Sequence, residues 1–324
     1  MAGSRRTVDV AELVERARAG EARAVARLIS LVENDSPRLR EVAAALAPHG
    51  GHAQVVGLTG SPGVGKSTST SALVTALRAE GKRVGVLAVD PSSPFSGGAL
   101  LGDRVRMQDH ATDDGVFIRS MASRGQLGGL SAAVPQALRV LDAAGCDVVL
   151  VETVGVGQAE VEIASLADTT MVLLAPGMGD GIQAAKAGIL EIADIFVVNK
   201  ADRDGADQVA RDLRYMQSLG GRHSEAGAWR PPIVKTVASR GEGFEELWEA
   251  INSHRSFLES DGRLAARRRK RTREELRSIV VERLYERAGQ VCAGPGFDEL
   301  AARVEAREVD PYSAAESLLA ETLS

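Results

Sequence analysis

Apolar positions fall into two regimes along the chain. Over residues 1–50 they recur at helical spacing in "DVAELVERARAG", "EARAVARLISLVEN" and "SPRLREVAAALAPHG". Three helices are predicted there. Asp9 and Glu12 form a capping-box pair for the first. Ser36 is expected as cap of the third, with Pro37 in its first turn and Gly50 as its stop. From residue 54 the pattern changes to short β-branched runs: "AQVVGLTG", "KRVGVLAVD", "GVFIRSMA", "CDVVLVET", "TTMVLLAP", "DIFVVNKAD" and "PPIVKTVAS". These are apolar on both faces, as in strands covered by helices on each side. Helical spacing returns between them at 66–80, 130–144, 157–166, 181–192 and 205–219. The alternation predicts an α/β fold with a doubly wound, mostly parallel sheet. Ligands of such sheets bind beyond the carboxyl ends of the strands.

After residue 260 a charged helix is expected, with an apolar stripe through Leu276, Ile279, Val280 and Leu284. Its basic run 267–271 reads as a solvated face. Asp310 and Pro311 open a further helix. The expected organisation is a helical arm (1–50), an α/β domain (51–260) and a helical extension (261–324). A stripe on so short an appendage must be covered by its own fold or by a second copy.

Composition narrows the class. The 324 residues are 44% hydrophobic and 26% charged, enough for a large core. A net charge of −5 gives no reason to expect nucleic acid. No apolar run is long enough to span a membrane, and the N-terminus lacks a signal core, so a cytoplasmic protein is expected. Cys146 and Cys292 read as two separate thiols of a reducing compartment.

The strongest chemical signal is "GLTGSPGVGKSTST", with Gly60-x-x-x-x-Gly65-Lys66-Ser67 between a predicted strand and a predicted helix. The candidate phosphate cradle is Thr59, Gly60, Ser61, Pro62, Gly63, Val64, Gly65, Lys66, Ser67 and Thr68. Glycines let backbone N–H groups turn toward phosphate oxygens, and the helix N-terminus adds positive potential. Lys66 is expected on the β and γ phosphates and the Ser67 hydroxyl on Mg²⁺. Mg²⁺ needs further oxygens. The candidates are Asp90 and Glu152, each ending a strand run, and Asp103 in a Gly/Ser-rich loop.

"VVNKAD" supplies Asn199-Lys200-x-Asp202 at another strand end. A carboxylate at Asp202 can accept from both guanine N1–H and the exocyclic amine, which adenine does not match. Asn199 is expected to brace the loop and the Lys200 stem to cover the base. Val237, Ala238 and Ser239 follow in "TVAS", where the backbone N–H groups of Ala238 and Ser239 can meet guanine O6. The predicted ligands are therefore GTP and GDP with Mg²⁺.

Taken together, "GLTGSPGVGKST", "VLAVDPSSPFSGGALLGDRVRM", "VETVGVGQAE", "PGMGDGIQAAKAGI" and "NKAD" make the chain resemble the MeaB/ArgK family of P-loop GTPases over essentially its whole length. The resemblance implies that the strand after the phosphate-loop helix runs parallel to its neighbours. It also implies a GTP-driven chaperone that gates adenosylcobalamin delivery to methylmalonyl-CoA mutase and protects or reactivates that enzyme. It implies a homodimer joined through the C-terminal extension. Asp90, Asp103 and Glu152 match the family's Mg²⁺-site acids. Gln183 and Lys186 match a mobile segment linked to the mutase. Gly155 and Gly157 would free the segment after Glu152 to respond to the γ-phosphate. Val156, which cannot orient water, follows Gly155 directly. Slow intrinsic hydrolysis is therefore expected, with Gln158 either catalytic or a helix cap. Other readings are a metallochaperone-type GTPase and a kinase of a lysine/arginine/ornithine transport system.

Overall fold

The computed structural model describes residues 9–34, 36–91, 107–110, 112–123, 133–153, 159–177, 189–218 and 227–323. Asp103, Gly155, Gly157, Gln158, Gln183 and Lys186 lie outside the described residues, and only the backbone of Asp90 is described.

The seven apolar runs form one parallel sheet. Its strands are β1 (Gln54–Thr59), β2 (Val84–Pro91), β3 (Val116–Ser123), β4 (Val148–Thr153), β5 (Thr169–Leu174), β6 (Ile195–Asn199) and β7 (Ile233–Thr236). Their order is β3-β2-β4-β1-β5-β6-β7. β2 pairs in parallel with both β3 and β4, as the resemblance implied. Every residue of β1, β4, β5 and β6 is buried. That double-sided burial explains why these runs show no polar alternation.

The helices are α1 (Val10–Arg18), α2 (Ala22–Glu33), α3 (Leu39–Leu46), α4 (Lys66–Ala79), α5 (Ala133–Ala143), α6 (Ala159–Leu166), α7 (Ile189–Ile192), α8 (Ala206–Ser218), α9 (Phe244–Ser260), α10 (Arg263–Cys292), α11 (Pro295–Glu305) and α12 (Pro311–Leu323). On one face of the sheet, Val10, Leu13, Leu28 and Ile29 of the first two helices share a core with Leu138 and Leu141 of α5 and with Val149 and Val151 of β4. On the other, Leu73 and Leu77 of α4 and Leu247 and Ile251 of α9 pack over Val56, Leu58 and Leu150. A third cluster joins Val209 and Leu213 of α8 to Phe196 and Val198.

Asp9 caps α1 as expected, accepting from Ala11 N–H at 2.9 Å. Asp310 likewise accepts from Tyr312 and Ser313 N–H at 3.0 and 3.1 Å. The third helix begins later than its signals suggest. Ser36 Oγ accepts from Arg38 N–H at 3.3 Å, and Leu39 N–H bonds Ser36 O at 2.8 Å. The serine thus closes a turn, and Pro37 lies in that turn rather than in the helix. Both cysteines are free thiols, and burial pushes Cys146 up to about 12.

By contacts the chain divides into two compact units, Met1–Arg268 and Arg269–Ser324. Arg267 and Arg268 close the first unit, and their placement corrects the solvated reading of the basic run. Arg267 pairs with Asp194 at 3.0 Å and Arg268 with Asp168 at 2.7 Å. Arg268 also donates to the carbonyls of Gly51 and Ala53 at 2.6 and 2.9 Å. Arg269 and Lys270 are exposed, as expected. In the second unit, Leu276, Val280, Leu284 and Tyr285 of α10 are exposed, Tyr285 at 71%.

His254 is buried beside this ion-pair cluster. Its Nδ1 lies 2.9 Å from Thr169 Oγ1 and its Nε2 3.4 Å from Asp194 Oδ1. Its ring packs against Trp229 with centroids 4.8 Å apart. Burial lowers its pKa from 6.5, opposed by Asp194 and Asp168 and reinforced by Arg267. An imidazole depressed in the fold is neutral in both states above the unfolded value. Below about pH 6.5 the unfolded chain takes the proton first, so stability falls until the folded value is passed. Denaturant midpoints should therefore drop between pH 7.5 and 5.5 in the wild type, and drop less in His254→Gln. Equal slopes in the two proteins would refute the assignment.

Candidate guanine-nucleotide site

The expected site residues that are described gather at the carboxyl end of the sheet. β1 runs into the loop 60–65, and α4 begins at Lys66. Gly65 caps α4 with φ +95°, a left-handed conformation that side chains disfavour. A Cβ there would also stand 2.5 Å from Asn199 Nδ2. Lys66 is buried, and its ammonium is held by the carbonyls of Gly60 and Ser61 at 2.7 and 3.2 Å. Ser67 is buried beside it, whereas Thr68, next in the helix, is exposed. The loop thus leads straight into the N-terminus of α4, whose first N–H groups have no partner within the helix.

Glu152 arrives from β4, next to β1 in the sheet. It is only 3% exposed. Its Oε1 accepts from Ser67 Oγ at 2.6 Å and its Oε2 from Thr70 Oγ1 at 3.0 Å. A buried carboxylate needs such partners. The backbone of Asp90 lies at the end of β2, the strand on the other side of β4.

The second half of the site forms around β6. Asn199 is buried and makes three links. Its Nδ2 donates to Val64 O at 2.8 Å, and its Oδ1 accepts from Thr236 Oγ1 and Ala238 N–H at 3.2 and 3.1 Å. One carboxamide thus ties the phosphate loop to the segment after β7. The Ala238 N–H, expected toward a base oxygen, is donated here to Asn199. Lys200 adopts φ +57° and sends its ammonium to Gly63 O at 2.7 Å. Its stem thereby runs from the β6 end toward the phosphate loop. Asp202 is exposed and pairs with Arg240 at 3.1 Å. Val237 is buried and Ser239 exposed, at the start of a single 3₁₀ turn.

Three participants escape a reading by motif. Thr70 is foreshadowed only by its place one helical turn beyond Ser67. Thr236 and Arg240 carry no spacing signal, because their partners are distant in sequence or exposed.

With this geometry in view, comparison with known proteins decides the family. Residues 25–293 match the profile described as "Methylmalonyl Co-A mutase-associated GTPase MeaB". The chain belongs to the MeaB family. A relative from Pyrococcus abyssi that bears a GTPase name is 52% identical over 312 residues, 96% of each chain. The Escherichia coli GTPase ArgK is 39% identical over 279 residues, 84% of each. The mouse protein named methylmalonic aciduria type A homolog, mitochondrial, is 35% identical over 282 residues, 82% of this chain and 68% of that one. A solved structure titled LAO/AO transport system kinase superposes with a TM-score of 0.72 at 30% identity, over 97% of this chain and 98% of that one. As a MeaB-family protein the chain is a P-loop NTPase, and the family assigns it guanine-nucleotide binding and GTP hydrolysis. No helix among the described residues is long and apolar enough to cross a membrane.

Proposed function

We propose that this chain is a GTP-hydrolysing chaperone that gates adenosylcobalamin loading of methylmalonyl-CoA mutase and protects or reactivates that enzyme. The observation that carries the reading is Glu152. It holds the Ser67 hydroxyl at the phosphate loop with its carboxylate, while its strand leads directly into Val154-Gly155-Val156-Gly157. A change in what lies against Ser67 therefore acts on the residue that anchors this segment. Segments released when a γ-phosphate departs are a recurrent switch design. The MeaB family description supports the client, and so does the mouse relative's name.

The donors present suit Mg²⁺. Ser67 and Glu152 offer hard oxygen ligands, and Mg²⁺ commonly completes its octahedron with water and substrate phosphates. Bound there, Mg²⁺ would neutralise charge between the β and γ phosphates. Asp90 and Asp103 are proposed to complete the acidic shell. Lys66 balances phosphate charge, the loop N–H groups orient the phosphates, and Asn199, Lys200 and Asp202 read the base. With Val156 where a water-orienting glutamine would stand, intrinsic hydrolysis is slow, and Gln158 is the candidate to assist it. Gln183 and Lys186 are proposed to carry the signal to the client. Residues 261–324 are proposed as the dimer-forming extension, supported by the exposed Leu276, Val280 and Leu284.

The test is GTP hydrolysis by the full chain, alone and with methylmalonyl-CoA mutase from the same organism, with Glu152→Ala as control. A severalfold rise with the mutase, lost in the variant, is the expected result. A mutase that neither binds nor changes the rate would remove the client and leave the GTPase. Likeness to the LAO/AO transport system kinase motivates a second reading, in which phosphate from GTP appears on an acceptor rather than in solution.

A further inference from the structure

Thr70 has no assigned role in the phosphate-loop motif, yet it is fully buried and bonded to Glu152. It lies three residues after Ser67 on α4, so both hydroxyls face β4. Thr70 Oγ1 is 3.0 Å from Glu152 Oε2 and equally 3.0 Å from Lys66 O. A hydroxyl has one proton to give. The helix already serves the Lys66 carbonyl through the Thr70 N–H. An ionised carboxylate is a stronger acceptor than a backbone carbonyl. The Thr70 hydroxyl therefore donates to Glu152.

We propose that Thr70 is a positioning residue that fixes the Glu152 carboxylate and so sets how tightly the site holds a divalent cation with its nucleotide. Ser67 Oγ holds one carboxylate oxygen at 2.6 Å. Thr70 holds the other oxygen, so the plane of the carboxylate is defined by two hydroxyls from adjacent turns of one helix. Such outer contacts typically change metal affinity 10- to 100-fold when removed. The inference rests on reading Ser67 and Glu152 as the cation site.

The experiment titrates Mg²⁺ against retention of a fluorescent GDP analogue by wild type, Thr70→Val and Thr70→Ser. Thr70→Val should raise the half-saturating Mg²⁺ concentration about tenfold. It should leave nucleotide binding in chelator unchanged, and Thr70→Ser should restore the wild-type midpoint. A merely structural threonine would not shift the Mg²⁺ midpoint at unchanged Mg²⁺-free binding. Should Thr70→Val not fold, Thr70→Ala gives the same readout without added bulk. A midpoint within twofold of wild type in the hydroxyl-less variant overturns the proposal and leaves the cation site standing. Nucleotide retention that is insensitive to Mg²⁺ in the wild type overturns both.

Discussion

Asp202→Asn should lower affinity for GTP about 100-fold and make the chain prefer xanthosine triphosphate. Guanine presents two donors on one edge, N1–H and the amine. A carboxylate accepts both, whereas a carboxamide accepts one and sets its own N–H against the other. Xanthine carries a carbonyl where guanine has the amine, so the carboxamide N–H finds an acceptor there. Asp202 is exposed and held by Arg240 at 3.1 Å, so the substitution disturbs no core packing. Competition of the two triphosphates for a fluorescent guanine nucleotide measures the switch. Affinity for GTP unchanged within threefold would show that Asp202 does not read the base.

The largest expected effect on stability lies at the far end of the sheet. Asp168 is 3% exposed, and Arg268 meets both its oxygens, at 2.7 and 3.2 Å. Asp168 Oδ2 also accepts from Val55 N–H at 3.1 Å, which fixes the carboxylate against the start of β1. Replacing Arg268 by Met keeps the stem and removes the counter-charge from a buried acid. Breaking one side of such a pair costs about 3 kcal/mol. In a unit of this size that lowers the melting temperature by roughly 5 °C. The double variant Arg268→Met/Asp168→Asn should recover part of the loss, since no buried charge is then left. Lys270→Ala, which removes an exposed pair with Glu274 at 3.7 Å, should change stability by under about 0.5 kcal/mol. Calorimetry on the four proteins decides the matter, and an Arg268→Met melting point equal to that of Lys270→Ala would refute it.

Those two arginines also mark where sequence reasoning stops. A run of basic residues reads as a wet surface because nothing local says otherwise. The partners of Arg267 and Arg268 lie 73 and 100 positions away, so only the assembled sheet brings them together. The strands were legible for the opposite reason. Runs such as Val148–Val151 are apolar at every position, and their length and flanking glycines separate them from helices. The start of α3 was misplaced because Ser36 signals equally well for a cap and for a turn. The phosphate loop and the Asn199–Asp202 stretch were legible as motifs because each is one contiguous stretch of the chain. The Glu152–Thr70 contact spans 82 positions and required the fold.

The position of β1 also has a consequence for synthesis of the chain. β1 is among the first strands to leave the ribosome, yet its sheet neighbours are β4 at Val148–Thr153 and β5 at Thr169–Leu174. Until those residues emerge, a strand that is wholly buried in the fold has no partner on either edge. The centre of the sheet therefore cannot close early in translation, and the nascent chain carries an aggregation-prone segment for much of its length. A fragment that stops before residue 169 would lack one wall of β1 and, with it, a firm base for the loop that follows.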